Sequence, residues 1–194
     1  MHRASDPSDQ YVLDFCASVV PTSTSLPVIC KPLPNAPDKE CFPLVEHYVH
    51  ENGGRSETGW AIWELPGVFI EAEFHAVWKS PDGEYLDIVP RARQFEQILF
   101  LPDSTRRYQG KQVDNIRKAL VRDNDVKRFL FLFTRQFQIM NAGELASQHG
   151  AISLPEHARR ELQAVQKEAM RLELRIKKRY AAKASPAMQW VNDF

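Results

Sequence analysis

The stretch Glu71–Pro90, EAEFHAVWKSPDGEYLDIVP, constrains the fold more than any other part of the chain. Phe74 to Trp78 is rich in aromatic and β-branched residues, as a strand should be. Ser80-Pro81-Asp82-Gly83 supplies a turn, because proline presets φ and glycine takes the left-handed position at low steric cost. Tyr85 to Val89 then runs back, and Pro90 ends the pairing. The result is a hairpin with His75 and Asp87 on neighbouring strands, at nearby levels for a register symmetric about Asp82-Gly83. An aspartate beside a histidine can orient and polarise the imidazole, so what the imidazole faces becomes the functional question.

One answer lies upstream, in Asp38-Lys39-Glu40-Cys41-Phe42-Pro43-Leu44-Val45. Asp38 can cap a helix, and Pro43 is tolerated only in a first turn, where its missing N–H costs nothing. Cys41 therefore falls at or near a helix N-terminus, where the macrodipole and unpaired N–H groups favour a thiolate. Cysteine, histidine and aspartate in that chain order form a nucleophile, base and orienter arrangement.

His75-Ala76-Val77-Trp78, the glycine-containing turn and Leu86-Asp87-Ile88-Val89-Pro90 resemble the His strand and Asp-Pro strand of transglutaminase-like proteins, within the wider papain-like cysteine class. The resemblance covers residues 38 to 90 and places Cys41 at the head of a helix, as in that superfamily. No glycine precedes Cys41 here, and no Cys-Trp pair follows. Gly59-Trp60-Ala61-Ile62-Trp63-Glu64 through Asp87 also resembles a group of bacterial proteins, which fixes no activity. The resemblance implies an α+β fold with a papain-like core, a central antiparallel sheet and a helix carrying Cys41 at its N-terminus; the pattern of the residues beyond it adds a long C-terminal helix. The resemblance also implies catalytic roles for Cys41, His75 and Asp87. An amide side chain on the preceding loop would serve the oxyanion, with Asn35 the nearest candidate. Trp60 or Trp78 would flank the site.

The 194 residues suffice for one ordinary domain with a substantial core. Divided by pattern, they give an N-terminal arm over 1–37, the α+β core over 38–145, and a C-terminal helix and tail over 146–194. Three cysteines form no disulfide framework, and with a polar N-terminus this points to a reducing, cytoplasmic setting. No apolar run reaches membrane-spanning length. The zero net charge hides an asymmetry: residues 1–100 carry 7 Lys+Arg against 15 Asp+Glu, and residues 101–194 carry 18 against 10. Such a split points either to an acidic face and a basic tail, or to two halves that attract each other.

Along the chain, residues 1–10 read as disordered and Tyr11–Val20 as a short helix or strand. Pro21–Pro37 holds five prolines and reads as an extended arm rather than regular structure. The Cys41 helix runs to about Glu51 and stops at Asn52-Gly53-Gly54. Strands follow over Thr58–Leu65, Val68–Trp78 and Gln97–Pro102, the last with a polar loop after it. Alternation puts Glu71, Glu73 and His75 on one face and Ile70, Ala72, Phe74 and Ala76 on the other. An acidic cleft on the first face would raise the His75 pKa and favour cationic substrates. Asp125–Met140 is helical, with a broad apolar face. Ser153-Leu154-Pro155-Glu156 reads as a capping box opening a helix that reaches Lys183. Its positions Ala158, Leu162, Val165, Ala169, Leu172 and Ile176 form a heptad seam. Beyond it, Met188, Trp190, Val191 and Phe194 suggest a tail that docks on a surface.

The expected function is a cysteine-dependent acyl transfer on a protein or peptide substrate, by hydrolysis, deamidation or transamidation, with no cofactor. Zinc bound by Cys41, His75 and Asp87 is the weaker enzyme reading, since no paired ligand spacing is present. The alternative from another class is an inactive module whose basic heptad helix mediates self-association or nucleic-acid binding. No RNA- or DNA-binding motif accompanies that helix, so nucleic acid is not the expected partner.

Overall fold

The computed structural model describes residues 3–34, 36, 41–148 and 153–181. The strands are β1 (Arg3–Ala4), β2 (Leu26–Cys30), β3 (Arg55–Leu65), β4 (Phe69–Lys79), β5 (Tyr85–Asp87), β6 (Gln97–Pro102) and β7 (Ile116–Ala119). The helices are α1 (Gln10–Val19), α2 (Cys41–Asn52), α3 (Asn124–Met140) and α4 (Glu156–Tyr180). The fold is mixed α+β, as expected.

The sheet is not open. Its strands follow the order β3-β6-β2-β5-β4, and β4 pairs back onto β3, so five strands close into a barrel. This corrects the expected central antiparallel sheet, because β2 pairs in parallel with β5 and antiparallel with β6. The strand responsible lies in the proline-rich stretch that reads as an arm. Pro27 pairs with β6 alone, and the parallel pairing with β5 begins only at Ile29. At Pro27 the strand has an open edge, where a residue without an N–H is tolerated. The N-terminal residues also depart from expectation: β1 adds to β3 at Glu64 and Trp63, where pairing with β6 has ended.

Alternation along the strands sorts side chains to the two faces of the wall. Trp60, Ile62, Ile70, Ala72, Phe74, Leu99 and Leu101 point outwards and pack against α1 through Val12, Phe15 and Cys16. Val28, Ala61, Trp63, Val77, Ile98 and Phe100 fill the lumen. A five-stranded barrel is narrow enough to be filled by its own side chains. Glu71, Glu73 and His75 do share a face, as the alternation predicts, and that face is the interior. Glu73 accepts the Trp63 indole N–H at 2.7 Å. Glu64 is also fully buried, bound by Arg3 at 2.9 Å and by the Tyr11 hydroxyl at 2.5 Å. Burial and this carboxylate together push the Tyr11 phenol well above its usual pKa.

The heptad seam of α4 is used within the chain. Val165, Leu172 and Ile176 are buried against Val126, Phe129, Leu130 and Leu132 of α3. The two helices form a hairpin at the end of the barrel where Leu65, Val68 and Phe69 lie. Arg175 and Arg179 bind Asp123 and Asp125 at the start of α3, while Arg128 and Arg135 bind Glu168 and Glu161. These pairs join bases and acids of the same half and leave its basic excess in place, while Arg117 reaches back to Glu71 at 3.1 Å. The helix begins at Glu156, with Pro155 rather than Ser153 at the cap and no side-chain cap bond. Lys183 and the apolar tail lie outside the described residues. Ile176 is fully buried, so Ile176→Ala is expected to cost about 2–5 kcal/mol of stability. Equilibrium urea unfolding checks this, and a loss below about 1 kcal/mol would show that the hairpin carries little of the fold's stability.

Candidate functional site

The hairpin between β4 and β5 pairs Trp78 with Leu86 and Lys79 with Tyr85, and then parts. On the same edge of β4, β7 pairs with Phe69 to Ala72. Between these stretches, Glu73 to Val77 have no strand partner on that edge among the described residues. His75 sits in the middle of this split, where an inward-facing side chain can be reached through the wall.

The register is centred on Asp82 alone, so His75 and Asp87 are diagonal neighbours rather than level ones. The diagonal is short enough for contact: His75 Nε2 lies 3.1 Å from Asp87 Oδ1. His75 is 2% exposed and Asp87 is fully buried. The Val89 amide donates to Asp87 Oδ1 at 3.2 Å, which fixes that oxygen from the backbone side.

Cys41 is the first residue of α2, with Pro43 in the first turn as expected. Asp38, the expected cap, lies outside the described residues. Glycines 53 and 54 end the helix with φ of 72° and 77°. α2 packs on the outside of the wall, where Cys41 and Val45 are buried with Ala76, Trp78, Ile88 and Val89. Cys41 stands close enough for its sulfur to act on the charge of the His75 imidazole and raise its proton affinity. The split in the wall lets these two residues meet, one from the outer layer and one from the lumen.

The electrostatics follow from burial and these neighbours. Burial acts to lower the His75 pKa, but the Asp87 carboxylate and the Cys41 sulfur outweigh it, and the imidazole is raised to about 10. Burial acts to raise Asp87, but His75 and then Arg91 overcome it and hold the carboxyl at about 2. The expected cause for His75, an acidic face of Glu71 and Glu73, is not the operative one. Those carboxylates serve Arg117 and Trp63.

The structure thus brings Cys41, His75 and Asp87 together. Trp78 joins them in the α2 cluster, with its indole donating to the Gly53 carbonyl at 2.9 Å. Trp60 packs in the α1 cluster instead, with its indole held by Asp103 at 3.0 Å. Asn35 lies outside the described residues. Among the described residues no group of His, Cys, Asp and Glu side chains is arranged to hold a metal ion, and no helix is long and apolar enough to cross a membrane.

Two residues at the site carry no sequence signal. Arg91 donates from Nη1 to Asp87 Oδ2 at 2.5 Å, and its Nη2 stands 3.1 Å from His75 Nε2. Cys30 approaches Asp87 Oδ2 at 3.9 Å from β2, and burial and the carboxylate raise its thiol to about 11. An arginine in a loop and a cysteine among prolines have no periodicity to mark them; only the closure of the barrel puts them here. Compared with family models, curated proteins and solved structures, the chain matches none.

Proposed function

We propose that this protein is a cysteine-dependent acyl-transfer enzyme acting on an amide or thioester carbonyl of a protein or peptide, with a transglutaminase-like core in a cytoplasmic setting. The observation that carries this reading is the convergence of a helix-initial Cys41 on a buried His75 that is itself bound to Asp87. The three cysteines are free, which suits a reducing compartment.

In this reading the Cys41 thiolate attacks the carbonyl carbon and a C–S bond forms. The imidazolium of His75 gives its proton to the leaving amine as the C–N bond breaks, leaving a thioester on Cys41. Water or an amine then gives a proton to His75 and attacks the thioester, and the imidazolium returns that proton to the departing sulfur or keeps it in the resting ion pair. Asp87 stays ionised throughout and holds the ring. The first-turn amides of α2 have no intrahelical partners and suit a developing oxyanion; Pro43 has no N–H, so Cys41 and Phe42 would supply the donors.

The other reading is an inactive module built on the basic helix; its self-association form needs the heptad seam, and that seam is buried against α3. The discriminating measurement is iodoacetamide alkylation of Cys41 in a protein with Cys16→Ser and Cys30→Ser. Labelling at pH near 6 is expected to exceed that of an ordinary thiol and to fall about tenfold or more in His75→Ala. Equal rates in both proteins would sink the enzyme reading.

A further inference from the structure

The Nε2 atom of His75 is claimed by two neighbours of opposite kind. Asp87 Oδ1 can only accept a hydrogen bond from it, and the guanidinium of Arg91 can only donate; both stand at 3.1 Å. Arg91 grips the same carboxylate by its other oxygen at 2.5 Å, lies over the Trp63 ring at 5.4 Å, and is mostly buried. An arginine placed only to neutralise Asp87 would not need its second nitrogen against the imidazole. A cation so close to Nε2 opposes the imidazolium, while its hold on Oδ2 leaves Oδ1 aimed at the ring.

We propose that Arg91 is the positioning residue of this site: it aims Asp87 at His75 and, by standing against Nε2, makes the imidazolium release its proton more readily than the His75–Asp87 pair alone would. The consequence for turnover rests on the reading of Cys41 as a nucleophile, but the effect on His75 does not. In acyl transfer the imidazolium must give up its proton as the leaving group departs, and a ring bound too tightly by a buried carboxylate would hold it. The charged and titratable groups facing the ring are Cys41 from α2, Asp87 from β5 and Arg91 from the following loop. Glu73 on β4 shares its face but is engaged by Trp63, and Cys30 on β2 meets only the far oxygen of Asp87.

The test is an NMR titration of His75 in the full-length protein labelled with ¹⁵N-histidine, with the signal assigned by its loss in His75→Gln. In Arg91→Met the deprotonation midpoint is expected to rise by about one pH unit, and in Arg91→Lys, which keeps the charge, to return most of the way. If Arg91→Met does not fold, Arg91→Gln carries the same comparison. A midpoint that falls or stays put, or that moves equally in the charge-keeping and charge-removing variants, overturns the proposal. Alkylation of Cys41 in the same proteins separates the two ideas. If wild-type labelling is no faster than an ordinary thiol, the enzyme reading fails, while the His75 titration still decides the role of Arg91.

Discussion

Asp87→Ala is expected to destabilise the protein by about 3–5 kcal/mol, the range for removing one partner of a buried ion pair. The carboxylate is fully buried and accepts from His75, Arg91 and the Val89 amide. Deleting it leaves two cationic groups facing each other in the wall of the barrel with nothing between them. Asp87→Asn keeps the shape and part of the hydrogen bonding, so it should cost less than the alanine change. The pH dependence separates charge from shape. His75 is raised above its ordinary value of 6.5, so its contribution is complete below that pH and is lost as pH rises through about 10. Asp87 is lowered from 3.8, so its contribution is complete above that value and is lost as pH falls through about 2. Stability from the pair is therefore greatest between roughly pH 4 and 6.5. Urea unfolding across the pH range should show the alkaline decline in the wild type and a flatter profile in Asp87→Asn. The same slope in both would mean that His75 does not owe its shift to this carboxylate.

Gly59→Ala should cost about 3 kcal/mol and reach the site as well. Gly59 is the β3 partner of His75 and lies on the lumen face with Ala61 and Trp63. A Cβ there would stand 2.3 Å from the Leu101 carbonyl oxygen, 2.7 Å from Phe100 Cζ and 2.9 Å from Pro102 Cα. Two of those atoms are backbone, so β6 itself would have to move. The β3–β6 ladder runs from Gly59–Pro102 to Ile62–Leu99, and it is one of the seams that close the barrel. Pushing β6 outward shifts the strand behind the His75 ring and loosens the packing that sets its distance from Cys41. Both urea stability and Cys41 alkylation should therefore fall in Gly59→Ala. A variant of unchanged stability would show that the lumen has room at this level.

Much of the local structure is legible in the residues. The Pro81-Gly83 turn, the alternation through Phe74–Trp78, the proline in the first turn of α2 and the glycines at its end are backbone preferences that act over a few residues. They place β3, β4, β6, α2 and α3 within a residue or two of their observed limits, apart from the start of β3. Parity along β4 likewise places Glu71, Glu73 and His75 on one face. The heptad of α4 is equally plain, but periodicity states only that a stripe will be covered, and α3 rather than a second molecule covers it.

Short-range sterics and period suffice for β3, β4, β6, α2, α3 and α4 and for the facing of their side chains, and the chain itself sets the order Cys41, His75, Asp87. The tertiary structure alone decided that a proline-rich stretch would become β2, that five strands would close on themselves, and that β4 and β5 would part at His75. Those outcomes depend on pairings between residues distant in the chain. The same pairings bring Arg91 and Cys30 to Asp87, where no local pattern could announce them.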